Sequence, residues 1–249
     1  MTRPFGNAPS VADKGLKAPC PQRNSSGDEV LVPVGLTQAA SLEIIDWGLL
    51  PYRDAHQRQL EAVSARLEGR IADTVFLVEH PHVYTYGRGT KLDPATLSPL
   101  ADGIECVAVE RGGGITYHGP GQLMAYPVVD VKALTGDLHR FLYWLEEAII
   151  RTLAEWGITG EHHPTYTGVW VGERKIASIG VAVRKWISYH GIALNVSTDL
   201  RYFSAIHPCG LPAEVMTSME QLAGERIAMS EVKTQFAEVL RRSSPLLSV

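Results

Sequence analysis

From about Ser41 onward, apolar residues recur with two periods, one helical and one of two residues. Leu42, Ile44 and Ile45 open a strand-like run, and residues 52–70 predict a helix with Leu60, Val63 and Leu67 on one stripe. Within 73–79, Val75, Phe76, Leu77 and Val78 form a short unbroken apolar run, which predicts a strand covered on both faces. Residues 104–110 and 123–130 also predict strands. The clearest helical pattern spans 137–156, where Leu138, Phe141, Leu142, Leu145, Ile149 and Leu153 share a face and Asp137 stands at the N-cap. In TGVWVGERKIASIGVAVRK (167–185), Gly172-Glu173 between two strand-like runs predicts a hairpin. Residues 188–196 predict the next strand. Ser230 is expected to cap a last helix that turns Val232, Phe236 and Val239 or Leu240 inward. Several strands with a few long helices predict an α/β (α+β) domain over 39–249. The pattern leaves the strand order open.

Residues 1–38 lack any sustained period and are rich in Pro, Gly, Ser and Asn. Such a segment buries too little apolar surface to offset its ordering entropy, so a flexible tail carrying a solvated Cys20 is expected. Asp13, Asp28 and the scarcity of arginine count against a cleaved targeting peptide. Of 249 residues, 45% are hydrophobic and 20% charged, which excludes collagen, coiled coil and a wholly disordered chain. The net charge of −4 argues against non-specific nucleic-acid binding. No apolar run approaches the roughly 18 residues of a membrane span, so no membrane association is expected. The three cysteines, Cys20, Cys106 and Cys209, form no CxxC pair. That pattern suits a reducing compartment, and a cytoplasmic location is expected.

Candidate chemistry concentrates in three places. RGGGITYHGPG (111–121) holds five glycines in eleven residues, where 23 in 249 would give about one. Such a loop brings backbone N–H groups close to a ligand, or makes a tight structural turn. It is not a P-loop, since no Gly-Lys-Ser/Thr closes it, and a strand rather than a helix is expected next. His118 has two readings, general base or hydrogen-bonding wall of a pocket. Cys209, in IHPCGLP (206–212), lies between Pro and Gly where regular structure is not expected. It is an activated nucleophile or an incidental loop thiol. Cys106, alternating with Ile104 and Ala108, reads as a small buried hydrophobe. Lys175 opens the apolar run KIASIGVAV, so it snorkels to water or is held in a partly buried site. His207 with Cys209, His80 with His82 and His162-His163 lack metal-ligand spacing, and no metal is expected.

These segments resemble one family. RGGGITYHGPGQ (111–122) is similar to the signature of the lipoyl(octanoyl) transferases, the octanoyl-acyl-carrier-protein:protein N-octanoyltransferases. EHPHVYTYG (79–87), GERKIASIG (172–180), and NVSTDL (195–200) through Phe203 to IHPCG (206–210) match further family segments in the same order. The resemblance covers about 42–222. It implies the fold of the biotin and lipoate protein ligases, a mixed sheet flanked by helices. It implies Cys209 as the acyl-thioester nucleophile, with Lys175 as its dyad partner, lowering the thiol pKa and serving as general acid and base. A substrate pocket is implied from Arg111, Gly112, Gly113, Gly114, Ile115, Thr116, Tyr117 and His118, with Ser178, Ile179, Gly180, Gly191, Ile192 and Ala193. His82 departs from the small residue or proline expected at its position.

The implied reaction moves an octanoyl group, or a lipoyl group, from acyl-carrier protein to a lysine of lipoyl domains. Those domains belong to 2-oxoacid dehydrogenase E2 subunits and the glycine-cleavage H protein. No cofactor and no ATP are expected, because the acyl group arrives as a phosphopantetheine thioester. Acidic partners would be steered by Arg174 with Lys175, Arg184 with Lys185 and Arg88 with Lys91, unless these are ordinary solvated charges. Three rivals differ in chemistry: an ATP-dependent lipoate ligase, a non-catalytic binder of lipoyl domains or acyl-carrier protein, and a thioester hydrolase using His118 or His207.

Overall fold

The computed structural model describes residues 42–89, 103–206 and 211–243. The expected tail over 1–38, with Cys20, lies outside these residues. Among the described residues, ten strands and five α-helices follow one another as β1 Glu43–Leu49, α1 Tyr52–Leu67, β2 Thr74–Glu79, β3 Val83–Tyr86, β4 Glu105–Ala108, β5 Ile115–His118, β6 Gln122–Val128, α2 Val131–Leu134, α3 Leu138–Ala154, β7 Glu161–His162, β8 Val169–Val171, β9 Arg174–Arg184, β10 Ile187–Asn195, α4 Met219–Ala223 and α5 Met229–Ser243. Seven strands form one mixed sheet in the order β1-β2-β6-β10-β9-β8-β7, in which only β1 and β2 run parallel. β4, β3 and β5 form a second, smaller sheet. The α/β expectation holds, with its mixed sheet flanked by helices.

The large sheet is covered on both faces, and alternation sorts its residues. Val75 and Leu77 of β2, Leu123 and Ala125 of β6, and Ile192 and Leu194 of β10 pack with α3 and α5. Phe76 and Val78, Met124 and Tyr126, and Tyr189 and Ala193 turn to the opposite face, where Ala55 and Val63 of α1 cover them. The unbroken apolar run in β2 therefore follows from double coverage. In α3, Asp137 accepts a hydrogen bond from the Arg140 backbone N–H, as its N-cap position predicts. The buried face adds Trp144 and Ala148 to Phe141, Leu145, Ile149 and Leu153, while Leu138, in the first turn, is 40% exposed.

Two further expectations change. Leu67 ends α1 and is exposed, and the buried stripe runs instead through Tyr52, Ala55, Gln59 and Val63. Ser230 does not cap α5: the Ala228 carbonyl already accepts from Glu231 and Val232, so Ser230 sits inside the first turn. Val232, Phe236, Val239 and Leu240 are all buried as expected. The Gly172-Glu173 hairpin joins antiparallel β8 and β9. Cys106 is part-buried against the small sheet's core, and burial raises its thiol pKa. No described helix is long and apolar enough to cross a membrane.

Candidate active site

A narrow cavity opens where the glycine-rich segment meets β9 and β10. Arg111, Gly112, Gly113, Thr116 and His118 form one wall, Ser178, Ile179 and Gly180 a second, and His190, Gly191 and Ala193 a third. Tyr52, Met124 and Tyr126 complete it. Its volume, counted to the open mouth, is about 450 Å³. Met124, Ile179, Ala193 and the rings of Tyr52 and Tyr126 give this slot a largely apolar lining suited to an acyl chain.

The glycines allow the backbone to fold tightly around this slot. A Cβ on Gly87, at the end of β3, would stand 2.5 Å from the Gly113 carbonyl oxygen and 2.6 Å from that of Arg111. Only glycine permits so close an approach. On the other side, the Gly112 N–H donates to the Val181 carbonyl of β9. Buried Arg111 ties the loop from within, donating to the carbonyls of Gly112, Gly114 and Thr85 and to the Thr85 hydroxyl, at 2.8–3.0 Å.

Both nitrogens of His118 are engaged. Its Nδ1 donates to Gln122 Oε1 at 2.8 Å, and its Nε2 accepts from the Thr85 hydroxyl at 3.0 Å. The Gln122 amide donates onward to Asn195 Oδ1, and Asn195 donates to the Thr217 carbonyl. Burial, reinforced by the Arg111 charge, pushes the His118 pKa down to about 3. With both nitrogens engaged and the ring neutral, His118 fits the reading of a hydrogen-bonding wall better than that of a base. His80 is alike: Nδ1 donates to the Leu50 carbonyl, Nε2 accepts from the Tyr126 hydroxyl, and burial lowers its pKa to about 4. At the cavity's edge, His56 Nε2 and His190 Nε2 both meet one Glu110 carboxylate oxygen, at 3.1 and 3.4 Å. Among the described residues this trio is the one group with donor atoms close enough to hold a cation. Its members lie 54 and 80 residues apart, too far for sequence spacing to reveal.

Lys175 sits on β9, three residues before Ser178, or roughly 10 Å along the strand. It is 4% exposed and does not snorkel. Trp170 faces Lys175 while Val169 faces Ala177, so Ile176 is an extra residue in the ladder. Such a bulge re-aims the side chains beside it. The Lys175 amine donates to the Thr167 carbonyl at 2.9 Å and lies 5.8 Å from the Trp170 ring centroid. Its own backbone carbonyl accepts from the Thr217 N–H, and it bridges to Met216.

This geometry occurs in a chain whose residues 51–241 match the family model of the lipoyl protein ligase A/B catalytic domain. The chain belongs to that family. It is 42% identical over 212 residues to the octanoyltransferase of Syntrophotalea carbinolica (strain DSM 2380 / NBRC 103641 / GraBd1), covering 84% of this chain and 99% of that relative. It is 46% identical over 183 residues to the octanoyltransferase of Thermoanaerobacter sp. (strain X514), covering 72% of this chain and 80% of the relative. With relatives of this identity it is an acyltransferase. Among solved structures, Ta0514 from T. acidophilum, a putative lipoate protein ligase, superposes with a TM-score of 0.65 at 17% identity, over 82% of this chain and 85% of that one. LipL1 from P. falciparum, in complex with lipoate, also gives 0.65, at 9% identity, over 82% of this chain and 62% of that one. Both likenesses concern the fold.

Within this lipoyl protein ligase A/B domain, ten of the fourteen expected pocket residues line the cavity. Ile115, Tyr117, Ile192 and Gly114 do not. Residues 115–118 are strand β5, so Thr116 and His118 face the cavity, while Ile115 and Tyr117 pack with Tyr84 and Phe203. Ile192 likewise turns into the core on the α3 side. The Gly114 carbonyl serves Arg111. Tyr52, Met124, Tyr126 and His190 were missed, although Met124 and Tyr126 stand two apart on a predicted strand. Cys209 and His207 lie outside the described residues, as does Lys91 of the expected basic clusters. Burial removes Lys175 from the surface pair with Arg174. His82 is exposed and hydrogen-bonds the Tyr117 hydroxyl at 2.7 Å.

Proposed function

We propose that this acyltransferase moves an octanoyl group from acyl-carrier protein to a lysine of lipoyl domains, through a thioester on Cys209 with Lys175 as its partner. The observation that carries the reading is the pairing of a largely apolar slot with a buried, carbonyl-held lysine on the same strand, β9. The relatives' name, octanoyltransferase, supports the acyl group. Support for the dyad is the bridge from Lys175 to Met216, seven residues after Cys209 in the chain.

The chemistry needs no external energy source. The Cys209 thiolate attacks the thioester carbonyl, and the phosphopantetheine thiolate leaves and takes up a proton. One thioester replaces another, a nearly even exchange. The ε-amine of the lipoyl-domain lysine then attacks the acyl-cysteine. A C–N amide bond forms, the C–S bond breaks, and the amine's proton passes to Lys175 or to the departing thiolate. Splitting the transfer lets two large proteins use one site in turn. As an ammonium, Lys175 stabilises the thiolate. As an amine, it accepts the proton of the incoming nucleophile. The two groups titrate as a pair. Octanoyl, and lipoyl as a second acyl group, are the chains we infer for the slot, and the lipoyl domains of 2-oxoacid dehydrogenase E2 subunits and the H protein are the acceptors we infer.

The test is octanoylation of a purified lipoyl domain with octanoyl-acyl-carrier protein as donor and ATP omitted. The reading predicts an octanoyl-lysine product. A requirement for free octanoate plus ATP would support a ligase instead, and release of free octanoate alone would support a hydrolase.

A further inference from the structure

The carbonyl that holds Lys175 belongs to the peptide joining Thr167 to Gly168, and that peptide is itself held from its other side. The Gly168 N–H donates to Glu146 Oε1 at 2.8 Å, while the Thr167 carbonyl accepts from Lys175 Nζ at 2.9 Å. One planar peptide therefore stands between a carboxylate on α3 and the amine on β9. A carboxylate at the N–H and an amine at the C=O polarise the peptide in the same sense, so each hydrogen bond strengthens the other. Glu146 is itself fixed. His162 of β7 meets Glu146 Oε2 at 2.7 Å and Glu147 Oε1 at 2.9 Å, which turns Glu146 Oε1 toward Gly168. Tyr143 stacks on the His162 ring at 4.4 Å.

The peptide is pressed against the lysine stem. Gly168 has φ of 123°, and a Cβ there would lie 2.3 Å from the Ala177 carbonyl oxygen and 2.9 Å from Lys175 Cε. Any other residue would displace the peptide or the lysine. A clamp that served the loop alone would not require such contact.

We propose that Glu146 is a positioning residue that sets the Lys175 amine through the Thr167–Gly168 peptide. The proposal rests on the reading that Lys175 takes part in acyl transfer. Glu146 touches neither substrate nor thiol and acts through the peptide.

Three full-length variants test it: Glu146→Ala, Glu146→Gln and Lys175→Met. Octanoyl transfer kinetics and thermal midpoints would be measured on each, together with the Gly168 amide resonance by NMR. Misplacing a reacting group by about 1 Å costs roughly 10²-fold. Glu146→Ala is therefore expected to lower kcat by about that factor, with the donor KM within about threefold of the parent. Glu146→Gln keeps an acceptor for the Gly168 N–H and should recover most of the rate. The Gly168 amide should move upfield both in Glu146→Gln and in Lys175→Met, because each removes one end of the polarised pair. A Glu146→Ala enzyme with parental kcat overturns the proposal. So does a rate that falls only in step with the thermal midpoint and is not recovered by glutamine. If Lys175→Met keeps full activity, the catalytic reading of Lys175 fails. The linkage through the peptide is still judged by the amide: a shift in Lys175→Met supports it, and an unmoved amide overturns it.

Discussion

Lys175 brings a charge-bearing group into a buried position, and the contacts around it help explain why it is tolerated. Its amine has a carbonyl acceptor and an aromatic neighbour, and its stem packs on Gly168. A methionine of similar length would preserve the packing. It would remove the amine and leave the Thr167 carbonyl without that donor, a cost of about 1–3 kcal/mol. Lys175→Met is expected to slow acyl-enzyme formation by about 10²-fold or more, read as the rate of octanoyl adduct appearance by mass spectrometry. An unchanged adduct rate in a folded variant would remove Lys175 from the mechanism. At this scale the sequence was partly legible. Lys175 stood out because it opened an apolar run. His118 stood out by type, but its ring hydrogen bonds to Thr85 and Gln122, which favour a wall, appear only in the fold. Glu146 left no signal: on α3 it reads as an ordinary polar position, and its partners on β7 and in the loop before β8 exist only once the sheet forms.

The elements carry pocket residues by alternation, so each strand contributes to the slot from one side only. Ala193 and Met124 face it, while Ile192 and Leu123 face the opposite core. Enlarging Ala193 should therefore shorten the slot on the α1 side of the sheet without reaching the core on the α3 side. Ala193→Leu is expected to lower octanoyl transfer while sparing shorter donors, moving the preference toward six carbons or fewer. A series of acyl donors from four to twelve carbons, assayed for kcat/KM, reads this out. A burial worth about 0.8 kcal/mol per methylene limits the parent to modest discrimination between neighbouring lengths. Parental chain-length preference in the variant would place the acyl chain elsewhere. The legible elements carried strong local signals: α3 and α5 fall where helical periodicity predicts, β2 where an unbroken apolar run does, and the β8–β9 hairpin where Gly172-Glu173 marks a turn. Of the small sheet only β4, within the strand predicted over 104–110, was legible. β3 and β5 are four residues each, one lies in a His-rich motif and the other in a glycine-rich one, and their pairing spans about 30 residues of sequence.

At the scale of the whole molecule, burial of neutral histidines makes the fold acid-sensitive. His80, His118 and His190 are held at about 4, 3 and 3, below the ordinary 6.5, in each case chiefly by burial. The unfolded chain then binds protons before the folded one does. Their contribution is full above pH 6.5 and is lost as the pH falls toward those folded values. Each histidine contributes a slope of about 1.4 kcal/mol per pH unit, roughly 4 for the three. His162 has the opposite sign. Burial alone would lower its pKa, but its bonds to Glu147 and Glu146 outweigh that and raise it, so its contribution is present at low pH and lost above 6.5. One partly exposed ring does not cancel three buried ones. Denaturant unfolding should show steep loss of stability between pH 6.5 and 5, and a flat profile there would contradict the buried network. The central claim, covalent transfer without ATP, is tested most directly by intact mass. The protein is mixed with octanoyl-acyl-carrier protein alone, the adduct is mapped by peptide mass, and a lipoyl domain is then added. The account predicts one octanoyl group on Cys209 that disappears as the lipoyl domain gains it. Transfer that proceeds with no adduct on Cys209, or an adduct the lipoyl domain cannot remove, would contradict it.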